Sequence, residues 1–287
     1  MSRAGGRGAG PSRAVRHPNA RAFLARAEAW LMRAEIENNV MLGLALALRQ
    51  RSAVPAPWLA TVEQGREVVA CALRTPPRGL LVTRASADAL ECLLAELGPE
   101  ARALPSVIGP EPTAGELARL WSASQGRPAR VRVRQRLYEL HRVADAGTAA
   151  GRLRPADPAD FDTVRRWTAA FLGEAAPGDP SSPDELARER LEAGRLFLWD
   201  DGRPVSMAGT TGGTPNGHRM SLVYTPPALR GRGYATACVA ALSSRLLAAG
   251  ARYCCLYTDL ANPISNAIYQ RIGYRPLADA AEYELAG

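Results

Sequence analysis

The sequence predicts a mixed α/β fold, a central sheet flanked by helices, and three observations predict it. Short apolar segments bounded by Gly and Pro alternate with stretches whose apolar residues recur at helical spacing. Residues 130–140 set Val131, Val133, Gln135 and Leu137 against Arg132, Arg134, Arg136 and Tyr138, the period-2 pattern of a strand with one charged face. The second half reads in the order β-α-α-β-β-β-α-β-α-β-β. At 287 residues the chain has room for about two domains and can bury a core without disulfides or metals as staples.

The elements follow in order. Residues 1–19 are rich in Gly, Arg, Ser and Pro and predict a disordered tail. Residues 20–50 read as helix, with Phe23, Leu24, Ala27, Trp30 and Leu31 on one stripe and Asn38-Asn39 able to cap a second apolar run. Strands are expected over 57–63, 67–73 and 79–82, then a helix over 87–97, a short strand at 106–108 and a helix over 113–124 with Thr113 as N-cap and Glu116 at N3. The small, flexible stretch 145–151 marks a boundary between domains 20–145 and 151–287. Beyond it come a strand at 152–155, helices over 158–172 and 184–193, strands at 195–200, 204–210 and 218–225, a long helix over 233–249, a strand at 252–258, a helix over 263–272 and two terminal strands, 274–277 and 282–285.

Net charge is +8, and all 36 basic residues are Arg. Part of that count reflects a GC-rich coding sequence, and most of the charge reads as solvated surface, with a phosphorylated ligand as the sharper use. The five cysteines include no CxxC pair and no His at zinc spacing, which predicts buried, reduced thiols, a cytoplasmic setting and no metal. No apolar run approaches the ~18 residues of a membrane helix, and no leader-like segment opens the chain.

The chemistry concentrates in Ser221-Leu-Val-Tyr-Thr-Pro-Pro-Ala-Leu-Arg-Gly-Arg-Gly-Tyr-Ala235. A strand runs into an Arg/Gly loop that opens a long helix. Gly231 and Gly233 let the backbone turn tightly and approach a ligand. Loop amides and the positive end of the helix then converge on a phosphate, most usefully a diphosphate, with Arg230 and Arg232 adding charge. The pattern Arg230-x-x-Gly233-x-Ala235 is weak alone. A chance match is expected about once in a chain of this composition, and Arg3-Ala-Gly-Gly6-Arg-Gly8 is a decoy without strand or helix. Neither a dinucleotide fingerprint nor a Walker loop is present.

This segment resembles the acetyl-CoA-binding motif of the GNAT superfamily of N-acetyltransferases. A second match lies downstream, where Asn262, Tyr269, Gly273 and Tyr274 keep the superfamily's spacing. The resemblance covers residues 151–287 and implies a mostly antiparallel central sheet with helices on both sides. It implies that the strand before the loop carries a bulge and splays from the next strand, so that Val223, Tyr224 and Thr225 pair with pantetheine in the gap, with Arg230, Gly231, Arg232, Gly233, Tyr234 and Ala235 around the diphosphate. It further implies that Asn262 bonds a pantetheine amide while capping its helix, and that Tyr269 protonates the leaving thiolate. An amine would attack acetyl-CoA directly, in a ternary complex. The superfamily's frequent strand carboxylate is missing, because residues 209–225 contain no Asp or Glu. His218 is a weak substitute base, and Glu174 is a candidate for binding a cationic acceptor. Asn266, Trp167, Phe171 and Cys238 read as capping or packing residues.

Residues 20–145 echo the same element order without the Arg/Gly loop, which points to a second, degenerate GNAT-like domain. The leading function is acetyl-CoA-dependent N-acetylation of a small-molecule or peptide amine, without membrane or nucleic-acid partners. The alternatives are another tandem-GNAT acyl or aminoacyl transferase, mycothiol-synthase-like or dependent on aminoacyl-tRNA, and a CoA-binding regulator without turnover.

Overall fold

The computed structural model describes residues 10–50, 55–147 and 149–286. The decoy motif and the first half of the expected tail lie outside them. The first run of elements is β1 (Ser12–Arg16), α1 (Ala20–Leu31), α2 (Asn39–Gln50), β2 (Trp58–Gln64), β3 (Glu67–Arg74), β4 (Leu80–Val82), α3 (Ala87–Leu97), β5 (Ser106–Pro110), α4 (Glu111–Gln125) and β6 (Ala129–Leu140). The second is β7 (Arg152–Pro155), α5 (Phe161–Ala175), α6 (Pro183–Glu192), β8 (Leu196–Asp200), β9 (Pro204–Thr210), β10 (Gly217–Tyr224), α7 (Tyr234–Ala248), β11 (Tyr253–Asp259), α8 (Pro263–Ile272) and β12 (Arg275–Leu285). The two runs have the same order, element for element.

The chain forms two compact units. One extends to Arg134 and takes back the chain from Asp279; the other is Gln135–Ala278, and the stretch 145–151 lies inside it. The last strand of each run is therefore shared out. Gln135–Leu140 of β6 pairs antiparallel with β11 in the second unit, and Ala280–Glu284 of β12 pairs antiparallel with β5 in the first.

In the first unit the strand order is β1-β2-β3-β4-β5-β12. Phe23, Leu24, Leu31 and Leu42 of α1 and α2 pack on Leu59 and Leu73 from one face. Leu90, Leu93, Leu117 and Trp121 of α3 and α4 pack on Val62, Leu80 and Val107 from the other. The second unit repeats the plan in the order β6-β11-β10-β9-β8-β7. Val164 and Ala187 of α5 and α6 cover Leu196, Leu198, Met207 and Leu222. Cys238, Val239 and Leu242 of α7, with Tyr269 and Ile272 of α8, cover Phe197, Met220, Cys254 and Leu256. Pairing is antiparallel except for β4–β5 and β10–β11. Alternating side chains of one strand thus supply both layers.

Four local expectations are corrected. Residues 12–16 of the expected tail form β1, registered from Ser12 on Gln64 to Arg16 on Ala60, because backbone pairing to an open sheet edge needs little apolar content. The helix expected over 20–50 breaks after Leu31, where Asn38 Nδ2 donates to Leu31 O at 3.0 Å and Asn39 Nδ2 to Ile36 O at 2.6 Å. Thr113 is no cap: α4 starts at Glu111, and Pro112 fits its first turn, where no N–H is needed. The two terminal strands are one, β12. The charged face of β6 is present, with Arg132 on Glu282 at 3.0 Å and Arg134 on Glu111 at 2.6 Å.

Arg154 of β7 anchors the start of the second unit. It bonds Asp160 through both terminal nitrogens, at 2.6 and 2.8 Å, and Asp200 of β8 through Nε at 2.8 Å. These bonds hold the Asp160 carboxyl below its ordinary range, against a smaller opposing effect of burial. A carboxylate with a lowered native pKa stabilises the fold above its unfolded value, and that stability disappears as the pH falls through the native one. Asp160→Asn is expected to cost about 1–3 kcal/mol at pH 7, with the gap to wild type closing below about pH 4; urea unfolding at pH 7 and pH 3 measures both.

Candidate active site

The site begins with an irregularity in β10. Ser221 lies opposite Gly209 of β9 and Tyr224 opposite Met207, so three steps along β10 match two along β9. The extra residue makes a bulge. Leu222 sits in it with φ at 51°, the one described non-glycine residue with positive φ. That conformation costs roughly 1–2 kcal/mol for an L-residue. Burial of the Leu222 side chain in the α5/α6 layer outweighs it.

On its other side β10 pairs with β11 only from Gly217 to Arg219, while β11 continues on β6 out to Asp259. Beyond Arg219 the β10 backbone therefore leaves β11, and Val223, Tyr224 and Thr225 lie on the departing edge. Their outer end is pinned from β9: Ser206 Oγ donates to Tyr224 O at 3.1 Å and lies 2.8 Å from Thr225 Oγ1.

From Thr225 the chain runs through a short helical turn, Pro227–Leu229, to Gly231 and Gly233, with φ of 78° and 80°. Gly233 is the N-cap of α7 and brings no capping side chain. The first α7 bond is Ala237 N to Gly233 O at 3.0 Å. Among the described residues nothing accepts from the amides of 231–236. Clustered amides with the positive end of a 15-residue helix behind them suit a diphosphate. The corresponding turn of the first unit differs. Only residues 83–86 join β4 to α3, and Ser86 Oγ already accepts from Ala89 N at 3.4 Å. A Cβ on Gly109 of β5 would stand 2.7 Å from Val82 O of β4, so these strands stay in close contact there.

The side chains around the turn are partly engaged. Arg230 turns back, with Nε on Thr225 O at 2.9 Å, Nη2 on Glu174 Oε2 at 2.6 Å, and its guanidinium carbon 5.7 Å from the Tyr224 ring centre. Glu174 also accepts from the Tyr224 hydroxyl at 3.3 Å. The carboxylate considered for an acceptor amine thus ties α5 to the turn. Tyr234 donates to Asp201 at 2.8 Å, which raises its phenol pKa and fixes α7 to the β8–β9 hairpin. Arg232 and the backbone of Ala235 stay at the turn.

On α8, Asn262 Oδ1 caps by accepting from Ser265 N at 3.0 Å. Asn266 Nδ2 bonds Asp259 O and Asn262 O, and its Oδ1 accepts from Tyr138 at 2.9 Å. Tyr269 lies in the layer shared by α7 and α8, its ring edge-on to Tyr274 at 5.9 Å. Burial raises its phenol to about 12, and its hydroxyl has no partner among the described residues. His218 is on the far side of Arg219 from the departing edge, and burial with Arg195 nearby lowers its basicity. Cys238 is fully buried and its thiol is pushed up to about 12, unsuited to nucleophilic work. Among the described residues no group of three or more His, Cys, Asp or Glu could hold a metal, and no helix is long and apolar enough to cross a membrane.

Residues 161–274 match the family model described as the acetyltransferase (GNAT) family. This stretch is a GNAT acetyltransferase domain. No curated protein matches the chain. Solved structures share its fold over most of its length. A Drosophila protein covers 96% of this chain and 98% of its own at 14% identity, TM-score 0.66. The GCN5-related N-acetyltransferase from Sphaerobacter thermophilus covers 96% of each at 18% identity, TM-score 0.62. A tandem GNAT protein from the clavulanic acid biosynthesis pathway covers 96% of this chain and 98% of its own at 14% identity, TM-score 0.56. At such identities the likeness is one of fold, and the fold is the GNAT fold.

The resemblance implied a bulged strand before the turn, and the structure has one; the sequence did not say that Leu222 is the bulged residue. A lone Leu in an apolar strand carries no signal for positive φ. The bulge gives a direct test. Leu222→Ala keeps the strained φ and loses the packing, whereas Leu222→Gly loses the packing and relieves the strain. Both destabilise, by about 2–5 kcal/mol for the alanine, and the glycine variant is expected to be the more stable of the two by about 1 kcal/mol; chemical denaturation of the pair reads the difference.

Proposed function

We propose that the second unit is an acetyl-CoA-dependent N-acetyltransferase acting by direct attack of an amine. One observation carries the reading: an uncapped glycine turn at the start of α7 follows directly on a strand edge that has left its neighbour. The amides of 231–236 suit the diphosphate of CoA, with Arg232 beside them. The β10 edge at Val223–Thr225 suits an extended pantetheine arm, whose amides can pair with it as an added strand would. The donor supplies an acetyl thioester.

This chain's residues then act as follows. An N–H on the bulged edge donates to the thioester carbonyl oxygen, where negative charge grows as the amine nitrogen bonds the acetyl carbon. The C–S bond breaks, and the Tyr269 hydroxyl donates toward the departing sulfur. With the phenol at about 12 and a free thiol near ~8.5, complete proton transfer is uphill. Tyr269 therefore stabilises the thiolate as a hydrogen-bond donor and stays protonated throughout the working pH range, and the proton that the amine nitrogen loses passes to solvent water, so that the products are amide, thiolate and a solvated proton. Asn262, with Oδ1 on its helix cap, keeps its amide nitrogen for the pantetheine arm.

Gly233→Val forces a β-branched residue into positive φ and is expected to weaken acetyl-CoA binding at least 100-fold by calorimetry. Gly233→Ala, whose Cβ meets Ala149 Cβ at 3.8 Å among the described residues, carries the same positive φ with less bulk and is the milder comparison. Unchanged affinity in both removes the diphosphate assignment. Tyr269→Phe is expected to lower kcat by about 10²-fold, the scale of losing one donor to developing charge, with little change in acetyl-CoA affinity, read as thiol release with a panel of amines. Tight CoA binding with no turnover on any amine replaces this reading with a CoA-responsive regulator.

A further inference from the structure

The layer between α6 and the sheet of the second unit holds arginines that the acetyl-transfer chemistry does not use. Arg190 comes three residues after the fully buried Ala187, so the two side chains leave α6 on the same, sheet-facing side. The Arg190 side chain is 14% exposed, and its ion-pair partner, Glu189, is 3.9 Å away. Its Nε is buried with no hydrogen-bond partner among the described residues. A buried donor left unsatisfied costs about 1–3 kcal/mol, more when it is charged.

Arg219 is in the same layer. It sits across from Cys255 on the last rung that joins β10 to β11. Cys254 and Leu256 of β11 face α7, so Cys255 and Tyr257, and Arg219 beside them, face the α5/α6 side. Arg219 thus stands where the strands begin to part, next to the edge assigned to the thioester. Burial disfavours the charge on both guanidiniums, and Arg195 and Arg219 add repulsion at Arg190. The sequence has no Asp or Glu between Asp201 and Asp259, so β9, β10 and β11 as far as Thr258 bring no carboxylate to this cluster.

We propose that Arg190 and Arg219 bind an anionic group, carboxylate or phosphate, on the acceptor, and so present its amine at the parting of β10 from β11. This rests on the acetyl-transfer reading and names the class of acceptor: an amine that also carries an acid, such as an amino acid or a phosphorylated amine. Polyamines and other polycations are rejected by like charge. Planar guanidiniums bind either anion through paired hydrogen bonds, and the unpartnered Nε of Arg190 gains its bond when the acceptor enters.

The test uses the full chain and matched acceptors: 4-aminobutyrate against butylamine, and phosphoethanolamine against ethanolamine. At least one acidic amine is expected to exceed its neutral partner tenfold or more in kcat/KM, and the favoured pair identifies carboxylate or phosphate. Arg190→Gln is expected to lower kcat/KM for the acidic amine at least tenfold more than for the neutral one. Arg219→Gln gives the same readout if the first variant does not fold. Equal rates within both pairs, or equal losses in the variants, overturn the proposal. Acetyl-CoA calorimetry reads the donor site separately. If acetyl-CoA does not bind, thermal shifts with succinate and phosphate decide: a rise in Tm that Arg190→Gln removes upholds the anion site without the transferase, and no rise with either overturns it.

Discussion

The second unit depends on one extra residue in one strand. Leu222 adds a step to β10 that β9 does not match, and beyond Arg219 β10 has no further rungs with β11. A regular parallel strand would have kept its ladder there, leaving no edge beside the turn. The strained φ at Leu222 persists because its side chain fills the layer under α5 and α6. The departing end is then fixed from two sides, by Ser206 of β9 and by the Arg230–Glu174–Tyr224 cluster. Packing in the core thus maintains a polar opening at the sheet.

The two units show what the site requires, because they share an element order and differ at this point. In the first, a four-residue connection and the Ser86 cap give one of α3's leading amides a partner, and β4 stays on β5. In the second, a longer connection with two positive-φ glycines leaves α7 uncapped. A Ser at an N-cap satisfies one of the donors that a phosphate would otherwise take. The same fold therefore gives one helix start that is closed and one that suits an anion.

Charge is distributed with similar economy. Most of the arginines that the structure singles out are matched by carboxylates: Arg132 and Arg134 on β6, and Arg154 at the start of the second unit. The half-exposed Arg134 pair contributes little to stability, whereas the part-buried Arg154–Asp160 pair contributes more.

Much of this was legible in the sequence because it is written in local terms. Period-2 alternation gave β6, helical spacing gave α3, α7 and α8, and glycines with the long helix behind them gave the turn. Asn262, Tyr269, Gly273 and Tyr274 carried the second half of the family resemblance. Other features were not legible, since they depend on partners distant in the chain. Residues 12–16 become a strand only by pairing with Trp58–Gln64. The carboxylate of Glu174 reads as an open ligand until Arg230, 56 residues on, is folded against it. Backbone periodicity cannot say which residue of an apolar strand will bulge, because register against two neighbours decides it. The sequence alone determined the fold class and the turn that suits a diphosphate. Tertiary structure alone decided where β10 parts from β11 and that Arg190 is packed beneath α6, because both follow from register and layer packing between strands and helices far apart in the chain.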